Sequence, residues 1–130
     1  MVYNDLFSMA VKASENAYCK YSGFHVGAAL LSADGRIFMG CNIENVSYSL
    51  TNCAERTAVF KAVSEGITKF SAIAIAGSRT DDFSKPCVPC GACLQVLKQF
   101  CGGGFPIILA DGAHRLSDFL PCGFSEENMK

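Results

Sequence analysis

The sequence predicts an α/β domain in which helices cover a mixed β-sheet. The chain has 130 residues, half of them hydrophobic, which is enough to build one substantial core. Helical and strand-like patterns alternate in the order helix, strand, strand, helix, strand, helix, strand, and this order is typical of the α/β class. No repeat, linker or low-complexity tract interrupts the pattern, so we expect residues 1–130 to form a single domain.

The N-terminal third predicts a helix followed by a hairpin. Apolar side chains recur at three- and four-residue steps in residues 5–18, which indicates an amphipathic helix. Residues 24–31 have period-two character, Ala33-Asp34-Gly35 is a turn signal, and residues 36–42 have the pattern of the returning strand. The first edge of the sheet is therefore expected to be antiparallel.

The rest of the chain predicts two helices and two strands. Residues 53–65 have helical spacing, and Gly66 is placed to end that helix in a left-handed cap. Residues 70–77 form a compact β-rich run, residues 91–100 again have helical periodicity, and residues 106–110 resemble a short apolar strand. The segment after Leu116 is too mixed for any element to be predicted.

Composition and charge narrow the classes of function. The formal net charge is −1 and neither sign is gathered into a block, which argues against a nucleic-acid polymer as partner. No run of eighteen apolar residues is present, and the N-terminus lacks the basic-then-apolar layout of a signal peptide, so we expect no membrane partner and a cytoplasmic location. Eight cysteines in such a chain favour metal binding over a disulfide scaffold.

Two short motifs carry the chemistry. One is Thr51-Asn52-Cys53-Ala54-Glu55-Arg56 and the other is Pro89-Cys90-Gly91-Ala92-Cys93. Each cysteine group lies at the start of a predicted helix, where free N–H groups and the helix dipole favour the thiolate. Three thiolates can hold zinc and leave its fourth position for water, while a nearby carboxylate moves protons. This combination is typical of zinc-dependent nucleobase deaminases.

The ligand set has two overlapping registers, because Pro86-Cys87-Val88-Pro89-Cys90 matches the same spacing. We favour Cys90 with Cys93, since Pro89 then precedes the helix, where its missing N–H costs little. Cys87 is then an unliganded neighbour, although as a fourth ligand it would close a purely structural zinc site. The four isolated cysteines are interpreted as small buried hydrophobic residues: Cys19, Cys41, Cys101 and Cys122.

Two charged residues beside Cys53 have predicted roles. Zinc with three thiolates carries a formal charge of −1, and Arg56, one helical turn after Cys53, is suitably placed to donate hydrogen bonds to the sulfurs. Glu55 lies only two residues from Cys53, so their side chains diverge on a helix and the carboxylate is not expected to share coordination. That leaves Glu55 available as a general acid and base.

The chain resembles the small, homotetrameric, all-cysteine class of cytidine deaminases over nearly its whole length. The similarity runs through residues 21–29, 40–48, 53–58 and 89–97. The resemblance implies a three-layer α/β/α cytidine deaminase-like fold with a mixed, about five-stranded sheet. It also implies a homotetramer with sites at subunit interfaces and one zinc ion per subunit, bound by Cys53, Cys90 and Cys93.

The same resemblance implies the reaction and the substrate contacts. Cytidine and deoxycytidine would be hydrolysed to uridine and deoxyuridine plus ammonia, with Glu55 carrying a proton from water to the pyrimidine N3 and then helping ammonia to leave. The implied contacts are Asn42 and Glu44 on the ribose, Phe24 packed on the nucleoside, and the backbone of Ala54 on the base. Tyr48 and Phe124 resemble residues that reach a neighbouring subunit's site, where Phe124 would stack on the base.

Other functions remain open at this point. A nucleoside-antibiotic deaminase of the blasticidin type shares the all-cysteine site, and nucleic-acid editing enzymes share the chemistry. A structural zinc-binding module or a CxxC redox protein would belong to other classes. One departure from the family is Leu94, which stands where arginine usually follows the last zinc cysteine, so that Arg56 would be the only close charge compensation.

Overall fold

The computed structural model describes residues 3–130. Residues 1 and 2, which belong to the predicted single domain and to the N-terminal stretch compared with a signal peptide, lie outside the described residues. Within the described residues the strands are β1 (His25–Ser32), β2 (Ile37–Cys41), β3 (Phe70–Ser78), β4 (Pro106–Leu109) and β5 (Gly112–Arg115). The α-helices of the same part of the chain are α1 (Tyr3–Ala13), α2 (Ala54–Ser64), α3 (Gly91–Phe100) and α4 (Leu116–Phe119).

The strands form one mixed sheet in the order β2-β1-β3-β4-β5. Strand β1 pairs antiparallel with both β2 and β3, β3 pairs parallel with β4, and β4 pairs antiparallel with β5. The β1–β2 hairpin turns at Gly35, whose φ of 92° lies in the left-handed region that favours glycine. The predicted antiparallel edge and the mixed, five-stranded α/β sheet are confirmed.

Helices cover both faces of this sheet because its strands are apolar on both. On one face Leu6 and Ala10 of α1 pack against the alanines Ala72, Ala74 and Ala76 of β3. On the other face, residues of α2 and α3 form the larger core with β1 and β3, including Ala58, Val59, Leu94, Leu97, Leu30 and Ile73. The domain is therefore three layers deep, as the resemblance implied.

A glycine lets α2 approach the sheet unusually closely. A Cβ added at Gly40 of β2 would lie 2.5 Å from the carbonyl oxygen of Ala54 and 2.5 Å from the amide nitrogen of Ala58. Both atoms belong to helix backbone, which cannot move aside as a side chain could. The absence of a side chain at Gly40 thus fixes how deeply the first turn of α2, with Cys53 before it and Glu55 within it, lies against β2.

The structure differs from the predicted elements in two places. Helix α1 ends at Ala13 and a 3-10 turn of Ser14–Asn16 follows, after which Tyr18 bridges to Ile43, so the helix predicted to residue 18 is too long. Strand β5 and helix α4 were not predicted from the residue pattern. Both contain mainly partly buried or exposed residues, and β5 exists through its pairing with β4. Within residues 3–130, no helix is long and apolar enough to cross a membrane.

Candidate active site

Three cysteines come together where two helices begin. Cys53 is the N-cap of α2, Cys90 is the N-cap of α3, and Cys93 lies in the first turn of α3. The Sγ atom of Cys90 is 3.7 Å from that of Cys53 and 3.4 Å from that of Cys93, and all three lie within 4.8 Å of one another. Cys87 does not belong to this group, so the structure favours the later of the two registers.

The spacing and chemistry of these sulfurs fit zinc. With Zn–S bonds of about 2.3 Å, ideal tetrahedral coordination places ligand sulfurs about 3.8 Å apart. The Cys93 and Arg56 side chains stabilise the Cys53 thiolate and lower its pKa to about 5, whereas hydrogen bonding to Cys53 and burial raise the pKa of Cys93. Neighbouring thiolates without a cation repel one another, and a divalent ion removes that conflict. Three ligands from the chain leave the fourth position of a tetrahedral ion open.

Arg56 supplies positive charge at this cluster. Its Nη2 atom donates to the Sγ atom of Cys53 at 3.2 Å, while its Nε atom is buried without a hydrogen-bond partner in the described part of the chain. Leu94, at the position where the family usually has arginine, is 6% exposed and packs within the core formed by α2, α3 and the sheet. Its side chain therefore contributes apolar packing and no charge.

Glu55 is the buried carboxyl group beside the cysteines. It occupies the first turn of α2, is only 4% exposed, and follows Cys53 by two residues. Burial raises the pKa of Glu55 to about 6, and the nearby Cys53 thiolate acts in the same direction, while hydrogen bonding to Cys93 partly opposes the shift. A carboxyl group with this pKa can both release and hold a proton near neutral pH.

The structure gives Asn42 a bracing contact that the sequence analysis did not predict. Its Oδ1 atom accepts from the backbone N–H of Val26 at 3.0 Å, and its Nδ2 atom donates to the carbonyl of Phe24 at 2.8 Å. The amide thus holds the start of β1 and with it Phe24. One Nδ2 hydrogen and further lone pairs stay available for a ligand such as a ribose hydroxyl.

Glu44 braces the preceding loop. Its Oε1 atom accepts from the backbone N–H groups of Tyr21 at 3.0 Å and Ser22 at 3.1 Å, and its Oε2 atom accepts from the Ser22 hydroxyl. The Ser22 hydroxyl is the main cause that lowers the pKa of Glu44. Ser22 precedes a glycine in a short polar stretch, and nothing in that local sequence predicts its contact with Glu44.

Phe24 and Cys87 meet above the end of β3. A Cβ added at Gly77 would lie 2.7 Å from the Sγ atom of Cys87 and 3.1 Å from the Cε2 atom of Phe24. Burial raises the pKa of Cys87 to about 11, so this cysteine remains a neutral thiol. Of the isolated cysteines, Cys19 is buried and Cys41 and Cys101 are partly buried, but Cys122 is exposed, so the interpretation as a buried residue is wrong for Cys122.

The two aromatic residues expected to reach a neighbouring subunit are exposed. Tyr48 is 74% exposed and its ring meets that of Tyr21 edge to face at 6.0 Å. Both rings border a cavity of about 420 Å³ that is also lined by Ser22, Glu44 and Thr51. Phe124 is 60% exposed, and its carbonyl oxygen accepts from Nε2 of Gln95 at 2.7 Å. Ala54, by contrast, is fully buried at the start of α2.

Comparisons with known proteins agree with this geometry. Residues 2–107 match the family model described as the cytidine and deoxycytidylate deaminase zinc-binding region. A cytidine deaminase of Sporosarcina psychrophila is 48% identical over 129 residues, which cover 95% of this chain and 92% of the relative. The crystal structure of a cytidine deaminase from Burkholderia pseudomallei aligns with a TM-score of 0.86 at 42% identity, over 95% of this chain and 100% of that one. A blasticidin-S deaminase of Bacillus cereus is only 32% identical, over 68% of this chain and 66% of the relative.

Proposed function

Since the chain belongs to the cytidine and deoxycytidylate deaminase family, we propose that it hydrolyses cytidine and deoxycytidine to uridine and deoxyuridine with release of ammonia, and that Glu55, Cys53, Cys90 and Cys93 carry this reaction. The observation that carries the proposal is the buried Glu55, placed in the first turn of α2 directly beside the three-cysteine group. Its burial and its neighbours are those that an acid–base catalyst at a metal centre needs.

The three sulfurs are the ligands that would hold the metal. Zinc bound there would lower the pKa of a water molecule towards neutrality and so provide the nucleophile for C4 of the cytosine ring. The chain's own contribution is to fix the ligand geometry through two helix starts and to place the guanidinium of Arg56 against Cys53. A positive group at this position offsets the excess negative charge of three thiolates.

Glu55 is proposed to move the protons of the reaction. As a carboxylate it accepts a proton from the attacking water, and as the acid it delivers a proton to N3 of the ring. After hydroxide has attacked C4, the Glu55 carboxylate takes the second proton from the new C4 hydroxyl and delivers it to the amino group, so that the C–N bond breaks, C4 becomes a carbonyl and ammonia leaves. The pKa of about 6 for Glu55 makes both protonation states accessible near neutral pH.

The nucleoside is proposed to lie against the loop before β1. Phe24 would pack on the nucleoside, the backbone of Ala54 would meet the base, and the free valences of Asn42 and Glu44 would meet the ribose hydroxyls. Asn42 and Glu44 are already held by hydrogen bonds to the chain, which supports this assignment because preorganised polar groups lose little freedom when a ligand binds. A free nucleoside also agrees with the chain's lack of a basic block.

Assembly into a homotetramer is supported by an exposed apolar patch, which consists of Tyr18, Tyr21, Ile43, Val46, Tyr48 and Leu50. Its members range from 42% to 76% exposed. Within it Tyr18 bridges to Ile43 and the ring of Tyr21 meets that of Tyr48, and exposed apolar patches on a small domain mark interaction surfaces.

We place the enzyme in the cytoplasm, where a reducing environment keeps thiolate ligands intact.

The test is an ultraviolet assay of zinc-loaded protein with cytidine, deoxycytidine and blasticidin S. Turnover of the two pyrimidine nucleosides is expected, and no absorbance change with either would contradict the proposal. Activity confined to blasticidin S would favour the antibiotic deaminase instead.

A pair of variants in α2 assigns the catalytic role. Glu55→Ala should retain zinc and fold but lose turnover by about three orders of magnitude or more, because both proton transfers depend on it. Glu65→Ala, which truncates an exposed glutamate at the end of the same helix, should retain full turnover. Equal activity in the two variants would remove Glu55 from the mechanism.

A further inference from the structure

Helix α3 has two functionally different faces. Cys93 and Leu97 point into the protein, whereas Gln95 and Gln99, one turn apart, lie exposed on the other side. A separation of two residues turns the side chain of Gln95 about 200° from that of Cys93 on a regular helix. The surface around Gln95 therefore faces away from the zinc ligands of its own subunit.

The C-terminal segment, residues 121–130, contacts this outer face of α3 at Phe124 and Glu126. Gln95 Nε2 donates to the carbonyl oxygen of Phe124 at 2.7 Å, and one turn later Gln99 Nε2 makes a longer contact of 3.5 Å with the Glu126 carboxylate. The bond from Gln95 has the length of a well-formed hydrogen bond, whereas the contact from Gln99 lies at the limit for one. Gln95 is thus the stronger of the two attachments.

The backbone before Phe124 also has little room to shift. A Cβ added at Gly123 would lie 2.5 Å from Cδ2 of Leu120 and 3.4 Å from Cγ of Lys98 on α3. After Phe124, the backbone N–H of Ser125 donates to the side chain of Asn128 at 2.9 Å and begins a short turn. The carbonyl of Phe124 therefore lies between two locally ordered pieces of chain, and Gln95 is what joins it to α3.

The ring of Phe124 nevertheless remains 60% exposed. Burial of its own apolar surface therefore does not explain why the segment is held by its backbone at this residue. A backbone anchor beside an exposed aromatic ring fixes where the ring projects without covering the face that a partner would use.

We infer that Gln95 is a positioning residue that holds Phe124 in place for stacking on the nucleoside base in a neighbouring subunit's active site. The inference rests on the proposed function and on the family resemblance, which implies that Phe124 reaches a neighbouring subunit's site in the tetramer and stacks there on the base. Gln95 therefore affects substrate binding through Phe124. The effect appears in the active site of a neighbouring subunit and not in that of its own subunit.

The first experiment compares Gln95→Leu with the matched control Gln99→Leu, one turn along the same face. Gln95→Leu should raise KM for cytidine about fivefold to tenfold, the scale expected when one hydrogen bond that positions a stacking ring is lost, while kcat stays within about twofold. Gln99→Leu should change KM by less than about twofold. Zinc content, tetramer mass and melting temperature should match the unmodified protein in both, and an unchanged KM in Gln95→Leu would overturn the inference.

The second experiment asks whether Gln95 acts through the ring. In a Phe124→Ala background the addition of Gln95→Leu should produce no further rise in KM, because the positioned group is gone. A rise as large as in the unmodified background would overturn the inference. If Phe124→Ala alone leaves KM unchanged while the protein still deaminates cytidine, the role proposed for Phe124 fails and the deaminase assignment stands.

The third experiment uses mixed tetramers to separate a stacking role from a structural one. Gln95→Leu subunits are assembled with about a tenfold excess of Glu55→Ala subunits, so that nearly every intact Glu55 has neighbours with intact Gln95. KM should return to the unmodified value, whereas a defect confined to the variant's own site would leave KM raised and overturn the inference.

If Gln95→Leu does not fold, Gln95→Glu keeps the shape of the side chain, removes the donor and serves in all three experiments. If the unmodified, zinc-loaded protein does not deaminate cytidine at all, the proposed function itself is rejected.

Discussion

The Nη2 atom of Arg56 lies 3.2 Å from the Sγ atom of Cys53, a residue one helical turn earlier, and so places a guanidinium against one of the three cysteines that we propose hold zinc. Since Leu94 contributes only apolar packing nearby, this contact should matter more here than where a second arginine shares the role. Arg56→Gln is expected to lower zinc affinity or turnover about 10- to 100-fold. Chelator competition and the ultraviolet assay measure the two quantities. Arg79→Gln, at an exposed site, is the control, and equal values in both variants would contradict the prediction.

Removal of the Cys87 thiol should leave the zinc site intact. Its sulfur lies outside the three-cysteine group and burial keeps it protonated, with a pKa of about 11. Cys87→Ala is therefore expected to bind one zinc ion per subunit and to retain turnover within about threefold, whereas Cys90→Ala should lose both. Metal analysis after gel filtration measures the zinc content per subunit of both variants. Loss of zinc from Cys87→Ala would indicate a closed structural site with four thiolates.

A methyl group at Gly40 should disturb the active site by displacing helix α2. The added carbon would overlap the backbone of Ala54 and Ala58, so α2 must move away from β2, and Glu55 moves with it. Gly40→Ala is expected to destabilise the protein by about 1–3 kcal/mol and to lower kcat at full zinc occupancy. Urea unfolding and the deaminase assay test this. Gly104→Ala, where an added Cβ meets no atom within 4 Å, should change neither, and identical behaviour of the two variants would refute the packing argument.

Asn42→Asp tests the brace on Phe24. A carboxylate can still accept from Val26, but it cannot donate to the Phe24 carbonyl and would repel it. A cost of about 1–3 kcal/mol in stability and a raised KM are expected. Asn45→Asp is the matched control, because the side chain of Asn45 acts as an acceptor from the Ser47 N–H, a role that aspartate retains. If both variants lose the same stability, the amide of Asn42 has no special bracing role.

Asp34, in the β1–β2 hairpin turn, should make a pH-dependent contribution to the stability of the folded protein. Hydrogen bonds from Ser32 and then Arg36 lower the pKa of Asp34 to about 2, below the value of about 3.9 in an unfolded chain. A lowered folded pKa gives stability that is fully present above the unfolded value and is lost as pH falls towards 2. The difference in urea midpoint between the unmodified protein and Asp34→Asn should be constant from pH 8 to about 5 and shrink below pH 4. A difference that grows in acid would contradict this, and Asp81→Asn at an exposed site is the control.

Elements with a strong local pattern could be predicted closely. Helix α3 has the predicted limits of residues 91 and 100, and β3 and β4 differ from the predicted strands by one residue each. Strand β5 could not be predicted, because its four residues are mostly exposed and its extended form depends on pairing with β4. The end of α1 was missed for a related reason, since Tyr18 leaves the helix to bridge to Ile43, far along the chain.

The candidate site shows the same division between local and distant information. Motif spacing predicts a site formed by Cys53, Glu55, Cys90 and Cys93, and the three cysteines do come together. The bracing roles of Asn42 and Glu44 depend on contacts 16 to 23 residues away and leave no mark in the local sequence. The attachment of Phe124 to Gln95 spans 29 residues and was equally inaccessible.

The brace formed by Asn42 and Glu44 has a consequence for redesign. A protein engineer who wishes to alter sugar preference would naturally replace the two side chains proposed to meet the ribose, Asn42 and Glu44. Those replacements would also remove the hydrogen bonds that these side chains make with Tyr21, Ser22 and the carbonyl of Phe24, so a loss of activity would not by itself reveal a changed preference. Mutant libraries should therefore begin at Thr51. It lines the cavity bordered by Tyr48 and Glu44, and in the described structure its side chain forms no hydrogen bond to residues 21–24.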